Sequence, residues 1–373
     1  MSWLDTLRRA IRGNAVLACA RLRAAEITVV VVAVAILCWI IFRPFRGEDA
    51  LLHVSYDASR NYFNEINQVV PESEELVESV RGSHAGSIRQ LDAVARGLMA
   101  DSVCLATPFE VGKLVHDGMV AADWRDQWPH NASPFYSTIV FVVKAGNPKG
   151  ILDWADLSRP GVTLAVPSPR VSGAGAYGFL ALIQATQRRI GDDPVAIRQA
   201  VTAVYLRARI FDFGAQQALS AFVRDRSGDV FLTWESEARR FLKSSPTARF
   251  EVVYPPRSIL AEPSVAVLVP HVERRGSETA TRAFLDFIFS PQGQRIAATH
   301  HLRPRTPSFP DELPDLELIS VESSFGSWNE AWTQHLSTTG TYDGIERLRQ
   351  ARAGVWNEQL ERFQKAKNPP GVG

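Results

Sequence analysis

Residues 51–106 read LLHVSYDASRNYFNEINQVVPESEELVESVRGSHAGSIRQLDAVARGLMADSVCLA, and this stretch decides the fold. Leu51 to Tyr56 is a short apolar run that closes on Asp57, a strand feeding a helix start. Val77 to Arg81 reads as a second strand, closed by Gly82. After Ser87, the residues Ile88, Leu91, Val94, Ala95 and Leu98 recur at helical spacing. Ser102 to Ala106 is strand again. Alternation of strand and helix at this spacing indicates a parallel α/β sheet.

A second series follows. Ser137 to Lys144 is a long β-branched run ended by Gly146-Asn147-Pro148. Val162 to Val166, Asp229 to Trp234, Phe250 to Tyr254 and Ser264 to Val269 read as strands. Ala176 to Gln187 reads as a helix with Phe179, Leu180 and Ile183 on one face, and 216–224 as another. Ala280, Phe284, Phe287 and Ile288 mark a further helix, and Ser290-Pro291 restarts one, serine as cap and proline in the first turn. The extended runs 137–146 and 258–269 imply that the chain crosses twice between two α/β lobes, a layout suited to a cleft that closes by hinge motion. The expected boundaries are 51–140 with 265–346 for the first lobe, 141–264 for the second, and 347–373 for a C-terminal helix and tail.

Of the 373 residues, 46% are apolar and 22% charged, which excludes a disordered chain. Lys plus Arg is 41 and Asp plus Glu 40, so nucleic acid is not an expected partner: that binding is dominated by phosphate neutralisation. Cys19, Cys38 and Cys104 make no disulfide framework, and Cys104 sits inside an apolar strand as a small core residue. Ile27 to Phe42 (ITVVVVAVAILCWIIF) is uncharged, and residues 1–26 carry five arginines against Asp5 and Glu26. That bias reads as a basic cytoplasmic segment, 1–26, before a retained signal anchor at 27–43, a transmembrane helix that puts the rest on the extracytoplasmic face. Arg43-Pro44-Phe45-Arg46 is a poor cleavage site, although a removed signal and a freely periplasmic protein is the alternative. Without residues 1–50 the chain keeps 34 bases and 36 acids, so bulk field would not attract an anion.

Three segments share one design. Ser83-His84-Ala85-Gly86-Ser87, Ser172-Gly173-Ala174-Gly175 and Phe213-Gly214-Ala215 each place small residues where a strand or loop feeds a helix. There the first N–H groups lack internal partners and the dipole end is positive, which suits a closely approaching anion. No G-x-x-x-x-G-K-[ST] occurs and no G-x-G-x-x-G follows a strand, so a small oxyanion fits better than a nucleotide. Catalysis has little support. His84 beside Ser83 and Ser87 lacks a visible acid partner, His300-His301 lacks a third metal ligand, and Glu235 and Glu237 do not by their spacing make a catalytic pair. No enzyme, metal or cofactor is expected.

The chain resembles the periplasmic sulfate/thiosulfate-binding proteins of ABC importers over about residues 51–346. The matching stretches include Val54-Ser55-Tyr56-Asp57, Ser83 to Ser87, Ser133 to Pro148, Ser172-Gly173, Gly228 to Ala238, Ser258 to Pro263, Ser290 to Gln294 and Arg303-Pro304-Arg305. The resemblance implies a bilobal type II periplasmic-binding-protein-like fold, α/β in both lobes, and a monomer that delivers sulfate or thiosulfate to the permease of an ABC transporter. Carried over by position, Asp57, Ser87, Gly173, Ala174 and Ala215 would donate backbone N–H groups, Ser172 its hydroxyl and Trp234 its indole N–H. Where the family reads Gly-Ala-Arg-Gly-Ser-Thr, this chain has Gly214-Ala215-Gln216-Gln217-Ala218-Leu219. The alternatives are another oxyanion (phosphate, molybdate or an organosulfonate), with Glu235 or Asp57 accepting the proton in the phosphate case, or an anchored oxyanion sensor without transport. An uncleaved anchor predicts that the membrane-bound protein, analysed by mass spectrometry, still carries its N-terminal peptides; a mature terminus beyond Phe42 would refute the anchor.

Overall fold

The computed structural model describes residues 50–353, apart from 75, 248 and 307–312. The expected anchor at 27–43 and the end of the tail lie outside the described residues. Among those described, no helix is long and apolar enough to cross a membrane.

Two mixed sheets organise the chain. In the first, β1 (Ala50–Tyr56) lies between β2 (Ser79–Ala85) and β3 (Ser102–Leu105), both parallel to it. In the second, β4 (Ile139–Lys144) pairs antiparallel with β7 (Val230–Trp234) and β8 (Phe250–Val253), and β5 (Leu164–Pro167) pairs parallel with β6 (Arg209–Phe211) and β7. The chain returns to the first sheet through β9 (Ser264–Val267), which runs antiparallel to β3. The strands read at 51–106 are parallel as expected, while β9 enters from one crossing segment and β4 from the other, so both run against their neighbours. The second strand is also displaced. It runs through Gly82 to Ala85, because its pairing with β1 continues to the register Tyr56–Ala85.

Each parallel strand feeds a helix. Arg60–Ser73 (α1) follows β1, Ser87–Ala95 (α2) follows β2, and Pro108–His116 (α3) follows β3. In the second sheet, Gly173–Ile190 (α4) and Pro194–Tyr205 (α5) follow β5, Ala215–Asp225 (α6) follows β6, and Glu235–Ser244 (α7) follows β7. Thr107 and Glu110 form a reciprocal capping box on α3, with Pro108 in the first turn. The second sheet is apolar on both faces. Ile139, Phe141 and Val143 join the main core, while Val140 and Val142 join a second cluster with Phe222, Phe231 and Ala238. This is why β4 reads as a continuous apolar run rather than an alternation.

The two crossing segments lie side by side: Ser137 and Ala261 exchange both backbone hydrogen bonds, at 2.9 and 3.0 Å. A third segment joins them. Glu317–Ile319 pairs parallel with Arg257–Ile259, and Arg303–Pro304 pairs antiparallel with Phe135–Tyr136. Beyond it, Tyr342 packs against Phe179 and Tyr205 of the second sheet's helices, and Arg349 donates to the Tyr205 and Ala208 carbonyls. The third segment is tied down by a buried ion pair. Arg303 Nε donates to Glu235 Oε2 at 2.7 Å, and Arg303 Nη2 to Oε1 at 3.0 Å. Glu235 is thus bound on both oxygens by a guanidinium and is not free to accept from a ligand. Removing one partner of a buried pair strands the other's charge, so Glu235→Ala should cost about 3–5 kcal/mol in urea unfolding. A loss under about 1 kcal/mol would show that Arg303 finds water instead.

Candidate functional site

The parallel strands β1, β2 and β3 end at one edge of the first sheet, and β5, β6 and β7 end at one edge of the second. Their helix starts meet. Gly86, the N-cap of α2, lies against the carbonyl oxygen of Val171, where a methyl group would overlap it. Gly173, the first residue of α4, lies against Ala106 from the first sheet, and its missing Cβ would stand 3.1 Å from Trp234 Cζ2. Only a residue without Cβ lets the two edges approach this far.

Contacts link the junction around. The Ala106 N–H donates to Ser87 Oγ at 2.8 Å. Ala106 meets Gly173, and Gly173 meets the Trp234 ring. Trp234 is tilted against Tyr56 at 5.9 Å and edge-on to Tyr177 at 5.4 Å. Tyr56 leads into Asp57, whose carboxylate lies against Gly214 at the start of α6. Asp57, Ser87, Ser172, Gly173, Ala174, Ala215 and Trp234 are all buried here, and the structure brings the seven into one junction between the sheets.

The donors at this junction lack partners. Ser172 is the N-cap of the eighteen-residue α4, yet its side chain caps nothing. Its Oγ is buried without a hydrogen-bond partner among the described residues. An N-cap serine ordinarily accepts from the second or third helical amide. Among the described residues no backbone carbonyl accepts from the amides of Gly173, Ala174 or Ala215. A buried orphan donor costs about 1–3 kcal/mol, so a cluster of them calls for an acceptor. Three helix starts converge with these donors, and they suit a small anion held by amides and dipoles.

Residues 55–303 match the family described as bacterial extracellular solute-binding protein. The chain belongs to that family. As a solute-binding protein it is 35% identical over 305 residues to the sulfate-binding protein of Escherichia coli (strain K12), covering 80% of this chain and 93% of that one. It is 37% identical over 308 residues to the thiosulfate-binding protein of the same organism, covering 79% and 90%. The solved sulfate-binding protein SubI from Mycobacterium tuberculosis H37Rv superposes with a TM-score of 0.68 at 28% identity, covering 77% of this chain and 99% of that one. A periplasmic thiamin binding protein at 16% identity and TM-score 0.60 shares the fold.

Glu110 and Arg60 also support the junction. Glu110, buried in α3, accepts from Ser87 Oγ at 2.6 Å and from the Thr107 N–H at 3.0 Å, so it fixes the start of α2 against the turn after β3. The pattern Thr107-Pro108-Phe109-Glu110 is a capping-box signature and was readable as one. Glu237 is buried and held by Arg240 at 2.6 Å, not exposed. Arg60 donates to the His84 carbonyl at 3.0 Å. The three groups that could have suggested nucleophilic catalysis are separately engaged. His84 bonds Ser55 at 2.8 Å and Asn64 at 3.0 Å, Ser83 bonds Gln90, and Ser87 bonds Glu110. His300 pairs with Glu65 at 2.8 Å.

Burial dominates the electrostatics. Desolvation pushes the Asp57 carboxyl up to about 7, with the nearby Glu237 adding to it, and the Ala58 and Gln216 amides acting against it. Desolvation also raises Glu110 to about 7 and raises Glu237, while it lowers His84 to about 4. A carboxyl raised in the folded state stabilises it fully below the unfolded value and loses that contribution as pH rises through the folded value. For Glu110 the window runs from 4.5 to about 7. The stability of wild type minus that of Glu110→Gln should therefore fall between pH 5 and pH 8, by up to about 3 kcal/mol. Denaturant titrations of the ligand-free proteins measure this, and parallel pH profiles would rule out the buried carboxyl as their cause.

Proposed function

We propose that the protein binds sulfate or thiosulfate between its two α/β halves and delivers it to the membrane subunits of an ABC importer. The observation that carries this reading is the orphaned Ser172 hydroxyl beside the unpaired Gly173 and Ala174 amides, buried at the junction of two sheets. The names of relatives that cover nine-tenths of their own length support the choice of anion.

Asp57, Ser87, Gly173, Ala174 and Ala215 donate backbone N–H groups to the anion, Ser172 its hydroxyl and Trp234 its indole N–H. Fully ionised sulfate only accepts, so a set of donors satisfies it on every face. Hydrogen phosphate keeps a proton and needs an acceptor. Glu235 is committed to Arg303, and the Asp57 carboxylate is turned to α6. A phosphate proton would stay unpaired, at a cost of about 1–3 kcal/mol. No counter-cation is needed, because amide dipoles fixed in a dry cleft act in a medium of low dielectric.

The halves hinge about the segments at 137–139, 258–261 and 317–319, and their closure expels water from around the anion. Residues 51 to about 140, with those from 265 to about 304, form one lobe and 141–264 the other, onto whose helices the segment around Tyr342 packs, and the monomer is the working unit. The apolar run at 27–42 supports a tether on the periplasmic face of the inner membrane, which would hold the binder near its permease.

Calorimetry on residues 51–373 should show binding of sulfate or thiosulfate, competed weakly by phosphate. Trp234→Phe and Ser172→Ala should each weaken it by about 1–3 kcal/mol, as for loss of one donor to a buried charge. Absence of both heat and thermal shift at millimolar sulfate and thiosulfate would overturn the reading.

A further inference from the structure

Helix α6 has no cap of its own. Gly214 stands at its N-cap position and offers no side chain. The position is filled from the other sheet: the Asp57 carboxylate, just past the end of β1, lies against Gly214 at the start of α6. Gln216 is the second residue of the helix, the amide that an N-cap aspartate takes when it belongs to the same chain segment. The carboxylate sits where a Gly214 side chain would begin, since a Cβ there would overlap Asp57 Oδ2. Gly214 has φ −61° and ψ 164°, backbone open to any residue, so the glycine answers to this contact and not to the turn.

Glu237 at the start of α7 and Arg60 in α1 act on the carboxylate, and Glu237 is itself bonded by Arg240. One buried acid therefore faces another, and the amides of Ala58 and Gln216 act against the resulting rise in its proton affinity. The Gln216 amide is available only when the two halves are together. Apart, the carboxylate and the start of α6 would both be hydrated.

We propose that Asp57 is a positioning residue that caps α6 across the cleft, making closure and presentation of the Ala215 amide to the anion a single event. This rests on the reading of the cleft as an oxyanion site. Under it, one residue serves both sides: its backbone N–H goes to the ligand and its side chain to the opposite helix. The anion takes the Ala215 N–H, and Asp57 takes the next amide along, so the two negative groups share one helix start without competing for a donor.

The test is a mutant cycle in the full-length protein, read by the dissociation rate of sulfate in stopped flow. Asp57→Ala and Gly214→Ala should each speed release by about five- to thirtyfold, the scale of losing an N-cap. Asp57→Asn, which keeps an acceptor oxygen, should fall between Asp57→Ala and wild type. The double variant Asp57→Ala with Gly214→Ala should release no faster than the worse single variant, because both remove one contact. The melting temperatures of the ligand-free single variants should stay near that of wild type, since the contact forms only on closure. Wild-type release from Gly214→Ala, or additive effects in the double variant, would overturn the proposal while leaving sulfate binding intact. Wild-type protein that binds neither sulfate nor thiosulfate would instead remove the oxyanion site itself.

Discussion

Two sheet edges, each carrying bare helix starts, approach until glycine backbone lies directly against the opposite edge. Gly86 against the Val171 carbonyl, Gly173 against Ala106 and Gly214 against the Asp57 carboxylate mark the contact. Any side chain at these points would hold the edges apart. The approach has two consequences. It buries amides that the helices cannot satisfy, and it places Trp234 and the Ser172 hydroxyl beside them. A desolvated cluster of donors is unfavourable until something accepts from it, and that is the physical basis for recognition of an anion without a matching cation.

The acids at the junction fit the same account. Asp57, Glu110 and Glu237 are all buried and all raised by desolvation. Each is held by something: Asp57 lies against Gly214 at the start of α6, Glu110 is bonded by Ser87 and Thr107, and Glu237 by Arg240. They behave as struts that orient helix starts. A neutral amide at Glu110 would keep the hydrogen-bond geometry while removing the burial cost of the charge.

Much of this was readable locally. The small-residue junctions at 83–87, 172–175 and 213–215 fall at helix starts, as their composition indicates, because a glycine or serine there marks backbone that must stay accessible. Helix α5 went unread, although Asp193-Pro194 is an N-cap followed by a first-turn proline. The strand at 317–319 gave less warning, since three residues of mixed polarity carry no periodicity, and they are strand only by pairing with 257–259. The spacing of Glu235 and Glu237 argues only against a catalytic pair; their burial is set by their arginines, Arg303 far along the chain and Arg240 one turn away.

The sequence alone determined most of the strands and helices, where helix starts lie bare, and that no bulk charge favours an anion. Those properties depend on side-chain size and periodicity among near neighbours. The tertiary structure alone decided which bare starts face one another, that β9 and β4 run against their sheets, and that Asp57 reaches α6 with its carboxylate. Such contacts join residues far apart in the chain. They are fixed by strand order and by how closely two sheet edges can pack, which no short window of sequence encodes.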